Sequence, residues 1–240
     1  MAMTEATRRD GFPDLIVTLA IGVPIAAVYP FDRVFEAVAG GMPAIRAVLF
    51  AIMIILGAAI GNRAGLAVHS HGAQHPALVG IGAAFAVAIA IVVLDGLIWR
   101  PYLPAPYLLL FQTVGLKTRL VAFMLRAFAE NVMYRLFLFS CLAYLFGRLW
   151  PRAGGLPGPW ALSAAMILSQ TVNIAINVVA ASPGGMAPPA LLYDAIRYGA
   201  PGVAWALVYR YFGFTTVEIA STSCHVFLQP TLGYLLDRPG

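Results

Sequence analysis

Long apolar runs, separated by short breaks rich in glycine and proline, dominate the sequence from Leu15 to Leu236. Each run is close to the roughly 20 residues that an α-helix needs to cross a bilayer. Because 61% of the 240 residues are hydrophobic and only 10% are charged, the chain cannot be an ordinary soluble domain, in which about a quarter are charged. The pattern predicts an all-α, polytopic transmembrane bundle of about seven to eight spans. The predicted spans are Leu15–Tyr29, Ala44–Ile60, Ala77–Trp99, Leu120–Phe146, Trp160–Ala180, Leu191–Tyr211 and Phe214–Leu236, with Ala105–Gly115 as a shorter interfacial or re-entrant segment.

The positions of the basic residues indicate how the chain is inserted in a membrane and whether it binds lipid or nucleic acid. The first run follows a pair of arginines as a signal peptide does, but no small-residue cleavage site and polar segment come after it, so we expect a retained span. The formal charge of +5 is expected to meet anionic lipid headgroups rather than nucleic acid, because no basic patch is interleaved with aromatic residues. The positive-inside rule weakly favours an inner side holding Arg8, Arg9, Arg63, Arg148, Arg152 and Arg210. We expect an integral, multi-pass protein of the bacterial inner membrane.

The fourth run carries charged residues where a membrane span should have none. In the stretch FAENVMYRLF, α-helical spacing puts Glu130 and Tyr134 on one face with the preceding Arg126, and puts Asn131 and Arg135 on the neighbouring face. An ionisable side chain at membrane depth is costly and is by default a functional candidate. The structural alternative is that one of the two arginines neutralises the glutamate and fixes helix packing.

Two further runs carry polar stripes at helical spacing. The stripe on the fifth run consists of Gln170, Asn173 and Asn177, and that on the last run of Glu218, Thr222, His225 and Gln229. Amides between membrane helices often serve only as hydrogen-bond glue, but His225 is the only histidine in an apolar run. Three polar stripes in one bundle predict a single buried polar chamber.

Other polar residues are weaker candidates. Asp95, and Asp194 with Arg197, are expected to be interfacial or locally paired. The loop HSHGAQH holds His69, His71 and His75. Such spacing can bind a metal, but a histidine loop without an acidic ligand is usually solvated, so no metal and no other cofactor is expected.

The motifs on these runs resemble those of the CPBP family, which includes type II CAAX prenyl endopeptidases and Abi-like bacteriocin-processing proteins. That family carries EExxxR, then FxxxH, then HxxxN or a similar motif on successive core helices, and the similarity in order and spacing extends from about Lys117 to Leu236. Glu130 matches the first glutamate, Arg135 the arginine and His225 the third-motif histidine. The departures are Asn131, Asn173 and Gln229, which stand where the family has glutamate, histidine and asparagine.

The resemblance implies a CAAX-protease-like core in residues 117–240, preceded by N-terminal transmembrane helices in residues 1–116, within one structural unit. It also implies hydrolysis of a hydrophobic or lipidated peptide or membrane protein. Glu130 would be the base, His225 the acid or oxyanion donor, and Asn173 an orienting amide. The supporting residues would be Arg135, Asn131, Gln229, Arg126, Tyr134, Gln170, Asn177 and Glu218.

Three functions stay open at this point. Because Asn173 cannot accept a proton, the site predicts either a weakened intramembrane protease or a non-catalytic scaffold or assembly factor that binds a membrane peptide or partner protein. A proton- or ion-coupled carrier is the third alternative, since any buried Glu/His/Arg set could serve one. It is disfavoured because the hydropathy shows no inverted repeat.

Overall fold

The computed structural model describes residues 12–30, 33–68, 75–152, 155–176 and 188–236. Within these ranges the chain is helical and forms no strand beyond an isolated bridge between Pro151 and Pro157. The prediction of an all-helical chain is therefore confirmed for the described residues. The helices are α1 Phe12–Val28, α2 Arg33–Ala39, α3 Pro43–Arg63, α4 Pro76–Val93, α5 Ala105–Thr113, α6 Leu116–Glu130, α7 Ser140–Leu149, α8 Pro159–Ile174, α9 Pro188–Phe212 and α10 Phe214–Leu236.

π-helical segments extend some of these helices. Leu94–Ile98 continues α4, and Asn131–Phe139, called the π segment below, joins α6 to α7 without a break. In a π-helix each N–H bonds to the carbonyl five residues earlier, and such widened turns occur often at functional sites.

Three helices of the described chain are long and apolar enough to cross a membrane. They are α3, α4 with its π-helical end, and the continuous helix Leu116–Leu149. Large apolar side chains on them, including Ile52, Phe85 and Leu145, are exposed on the outside of the bundle. Exposed apolar surface of this extent is unfavourable in water and suits contact with lipid. The chain is therefore a membrane-associated helical bundle.

The last helix occupies a central position. α10 packs along α4 and α6 and also contacts α9, while α3 packs against α1 and the π segment, so helices from residues 1–116 and 117–240 pack against each other. Glycines allow these close approaches: a Cβ atom at Gly57 would lie 2.7 Å from the Leu136 carbonyl oxygen, and one at Gly80 would lie 2.9 Å from Ile219 Cγ2. Small residues at helix contacts are typical of membrane bundles.

A tight connection joins α9 to α10. Gly213 has φ +86°, a left-handed conformation that glycine adopts without strain. The Phe214 N–H then donates to the Ala67 carbonyl at 3.0 Å, and Thr215 Oγ1 donates to Asp14 Oδ2 at 2.6 Å. The chain after α3, the start of α1 and the start of α10 therefore meet at one end of the bundle.

Candidate functional site

A cavity of about 280 Å³ lies between α4, α5, α6, the π segment, α8, α9 and α10. Its polar lining residues are Arg126, Glu130, Asn131, Arg135, Gln170, Asn173, Arg197, Ser221, His225 and Gln229, together with the hydroxyl-bearing Tyr107 and Tyr198. The three polar stripes expected from the sequence thus contribute to one cavity. Tyr134 and Glu218 are not among its lining residues, and Asn177 lies outside the described residues.

Glu130 is held between two guanidinium groups. Arg126 Nε donates to Glu130 Oε1 at 2.8 Å, and Arg135 Nη1 lies 3.9 Å from Glu130 Oε2. The first contact is a hydrogen-bonded ion pair, whereas the second is beyond hydrogen-bond range. The Glu130 side chain also keeps 23% of its surface exposed. Its Oε2 atom therefore retains lone pairs for a further donor inside the cavity.

The π segment explains which residues face the cavity. Regular α-helical spacing would place Tyr134 beside Glu130 and Arg135 on another face, but a π-helix has more residues per turn and so rotates Arg135 toward Glu130. Arg135, five residues after Glu130, accordingly reaches its carboxylate and lines the cavity, whereas Tyr134 is buried elsewhere in the bundle. Of the two neighbouring polar faces that the sequence predicts, Arg126, Glu130, Asn131 and Arg135 therefore line the cavity and Tyr134 does not.

A chain of polar contacts continues from Arg135 to α9. Arg135 Nη2 donates to Gln170 Oε1 at 3.2 Å, and Gln170 Nε2 donates to the Tyr198 carbonyl at 3.1 Å. Gly202 makes room for this amide, because a Cβ atom there would overlap the Gln170 side chain. Gln170 therefore positions Arg135, and through it Glu130.

Asn131 joins the π segment to α10. It is fully buried, and its Nδ2 donates to Glu218 Oε2 at 3.3 Å and also contacts Ser221 Oγ. One oxygen each of Asn131 and Glu218 is buried without a hydrogen-bond partner. This arrangement gives Asn131 a cross-linking role between helices and places Glu218 behind it, outside the cavity lining.

His225 and Gln229 form the opposite wall, one helical turn apart on α10. The His225 ring stacks on Phe123, with centroids 5.4 Å apart and an interplanar angle of 22°. His225 Nδ1 and Gln229 Oε1 are both buried without a hydrogen-bond partner. His225 and Glu130 line the same cavity but do not hydrogen-bond to each other directly, and Asn173 lies buried on α8 in the wall. A bound molecule would therefore contact the imidazole and the carboxylate from the space they share.

A second ionic cluster borders the cavity and was not expected from the sequence. Asp95, fully buried in the π-helical end of α4, accepts hydrogen bonds from Tyr107 Oη (2.8 Å), Tyr193 Oη (2.8 Å) and Arg197 Nε (2.9 Å). Arg197, expected to pair locally with Asp194, instead bridges to another helix, because its side chain points across to α4. Both ionisable residues stand out in apolar runs, but one sequence does not show that two distant residues meet.

The described residues offer no obvious metal site. No group of three or more His, Cys, Asp or Glu residues is placed to hold a metal ion within the described ranges. Of the three loop histidines, His75 is exposed, and His69 and His71 lie outside the described residues.

We compared the chain with protein families, curated proteins and solved structures. No protein-family model, no curated protein and no solved structure matches the chain. Function is therefore argued from the cavity and its side chains.

Proposed function

We propose that this protein is a CPBP-type intramembrane endopeptidase, with a bundle of about seven to eight spans in the bacterial inner membrane. The observation that carries the proposal is the single cavity that collects Glu130, Arg135 and His225 inside an apolar helical bundle. These three residues are the ones that match the family motifs. The substrate would be a hydrophobic or lipidated peptide, or a membrane protein, that reaches the cavity from the bilayer.

In the proposed mechanism Glu130 is the general base. Its Oε2 atom, which Arg135 leaves without a hydrogen bond, takes a proton from a water molecule as that water attacks the scissile carbonyl carbon. The C–N bond then breaks, and the proton passes from Glu130 to the leaving amine. The two guanidinium groups hold the carboxylate in place through both changes of its charge.

The opposite wall would stabilise the tetrahedral intermediate. Asn173, His225 and Gln229 all carry N–H groups that can donate to an oxyanion, and all three line the cavity. Donors fixed before reaction in a water-poor site stabilise developing charge better than water does. Asn173 takes no proton, so Glu130 performs both proton transfers and turnover is slow relative to a site with a second base.

The second candidate is a non-catalytic scaffold or assembly factor that binds a membrane peptide or partner protein. The favouring observation is Asn131, whose amide is engaged with Glu218 and Ser221 on α10 and so serves packing rather than chemistry. In this alternative the cavity binds a peptide that is not cleaved.

Cleavage assays on the purified protein in liposomes separate the two functions. Prenylated and unprenylated membrane-tail peptides are incubated with wild type, Glu130→Gln and His225→Ala, and products are identified by mass spectrometry. The peptidase predicts products from wild type, a loss of about 10²–10⁴-fold in Glu130→Gln, and a reduced rate in His225→Ala. Unchanged cleavage in Glu130→Gln would contradict the proposed mechanism, and binding without products from any peptide would favour the scaffold.

A further inference from the structure

A groove of about 600 Å³ lies at one end of the bundle, between the C-terminal ends of α3 and α7. It shares no lining residue with the central cavity. Its described lining residues are Arg63, Tyr144, Gly147, Arg148, Pro151, Gly155 and Pro157. The wall after α7 is held by backbone hydrogen bonds, from the Arg152 N–H to the Leu156 carbonyl (2.8 Å) and from the Gly158 N–H to the Trp150 carbonyl (3.3 Å). The groove is therefore formed before any ligand arrives.

The groove is basic and its charge is not neutralised by the described chain. Arg63 and Arg148 are exposed, and neither forms an ion pair with a carboxylate of the described residues. Arg148 Nη2 donates to Tyr144 Oη at 2.7 Å, and its guanidinium lies 5.1 Å from the centre of that ring. These contacts fix the side chain while leaving its other N–H groups available. Guanidinium groups bind phosphate with paired hydrogen bonds.

The surroundings of the groove indicate the level of the membrane surface. Trp150, at the end of α7, is 57% exposed, and Trp160, at the start of α8, is 85% exposed. Exposed tryptophans of membrane proteins concentrate at the headgroup level. Next to the stripe of Tyr144 and Arg148, Leu145 and Leu149 form an exposed apolar stripe on α7. A basic groove at headgroup depth thus adjoins an apolar track directed into the bilayer.

We propose that this groove binds an anionic phospholipid, with its phosphate between Arg63 and Arg148 and its acyl chains along Leu145 and Leu149. A soluble phosphate would use the arginines but not the leucine stripe, and a zwitterionic lipid would bring a cation to a groove that already carries two. Arg63 and Arg148 lie on the side that the positive-inside rule weakly favours as cytoplasmic, where basic residues meet anionic lipid. The site is independent of the peptidase proposal, because none of its residues lines the central cavity.

Native mass spectrometry of the full-length protein in detergent tests this site. Dioleoyl phosphatidylglycerol and dioleoyl phosphatidylcholine are titrated separately onto wild type, Arg63→Gln/Arg148→Gln and the charge-preserving Arg63→Lys/Arg148→Lys. We expect wild type to retain phosphatidylglycerol in preference to phosphatidylcholine, and the glutamine pair to lose affinity by about fivefold per arginine. The lysine pair should still prefer phosphatidylglycerol but bind it more weakly than wild type, because an ammonium group does not form the paired hydrogen bonds of a guanidinium. Since both arginines are exposed, the variants should keep the wild-type circular dichroism and melting temperature.

Two controls decide the origin of the binding. Lys117→Gln removes the same charge from an exposed position at the start of α6 and should leave phosphatidylglycerol binding unchanged. Glycerol phosphate at millimolar concentration should not displace the lipid, because it lacks acyl chains. Equal retention of the two lipids, an equal loss in Lys117→Gln, or displacement by glycerol phosphate would each overturn the proposal.

Discussion

Asp95 and Glu130 are both embedded in this bundle with an arginine partner, and their surroundings differ sharply. Asp95 is fully buried and accepts three hydrogen bonds, from two tyrosines and from Arg197. Glu130 accepts one hydrogen bond, from Arg126, has Arg135 at 3.9 Å, and keeps 23% of its side chain exposed to a cavity. A fully satisfied ionic cluster holds helices together, whereas a partly satisfied one leaves capacity for a ligand. Under the proposed function, Asp95 therefore serves stability and Glu130 serves chemistry.

The largest expected effect on stability follows from removing the buried charge. Asp95→Asn should destabilise the protein by about 3–5 kcal/mol, because it leaves Arg197 without its counterion in the interior. Reversible unfolding in mixed detergent micelles measures this change. Asp194→Asn, on the same helix as Arg197 but less buried than Asp95, is the matched control and should change stability little. Equal loss in the two variants would show that the Asp95 cluster is not special.

In the cavity that contains Glu130, one substitution is expected to increase activity. Asn173→His places a second proton acceptor in the cavity wall and should raise peptide cleavage by about 10²-fold, the lower range for an added acid or base. Asn173→Gln keeps an amide and should not raise it. Initial rates in liposomes measure the effect at equal protein concentration. A histidine variant that folds and binds peptide but cleaves no faster would argue that Glu130 is not placed for general-base chemistry.

A smaller effect should involve both stability and cleavage, because Gln170 packs against Gly202 and also positions Arg135. Gly202→Ala should cost about 1–3 kcal/mol, since its methyl group would overlap the Gln170 side chain. The displaced amide would also release Arg135, so cleavage should fall beyond what the lost stability explains. Gly82→Ala on α4 is the control, because nothing lies within 4 Å of a Cβ atom there. Similar behaviour of the two alanine variants in unfolding and cleavage assays would contradict the positioning role of Gln170.

The helices and the polar stripes could be predicted from the sequence, because hydropathy and helical spacing are local properties. The turn geometry could not: nothing in NVMYRLFLF distinguishes a π-helix from an α-helix, and the π-helix is what turns Arg135 toward Glu130. The pairing of Asp95 with Arg197 could not be predicted from the sequence either, because the two residues are far apart in the chain. They come into contact only when α4 and α9 pack against each other. Asn131 was recognisable as a polar residue in a span, but its contact with Ser221 depends on the approach of α10.

One paired measurement tests the central claim, that Glu130 serves chemistry and Asp95 serves stability. Cleavage rate and free energy of unfolding are determined on the same preparations of wild type, Glu130→Gln, Asp95→Asn and Glu36→Gln. Glu36 pairs with Arg46 at 2.9 Å, away from the cavity, and controls for loss of a glutamate–arginine pair.

We predict that Glu130→Gln lowers cleavage by about 10²–10⁴-fold while its unfolding free energy stays closer to wild type than that of Asp95→Asn, and that Glu36→Gln still cleaves. Cleavage at the wild-type rate in Glu130→Gln, or a loss of stability in that variant as large as in Asp95→Asn, would contradict the account.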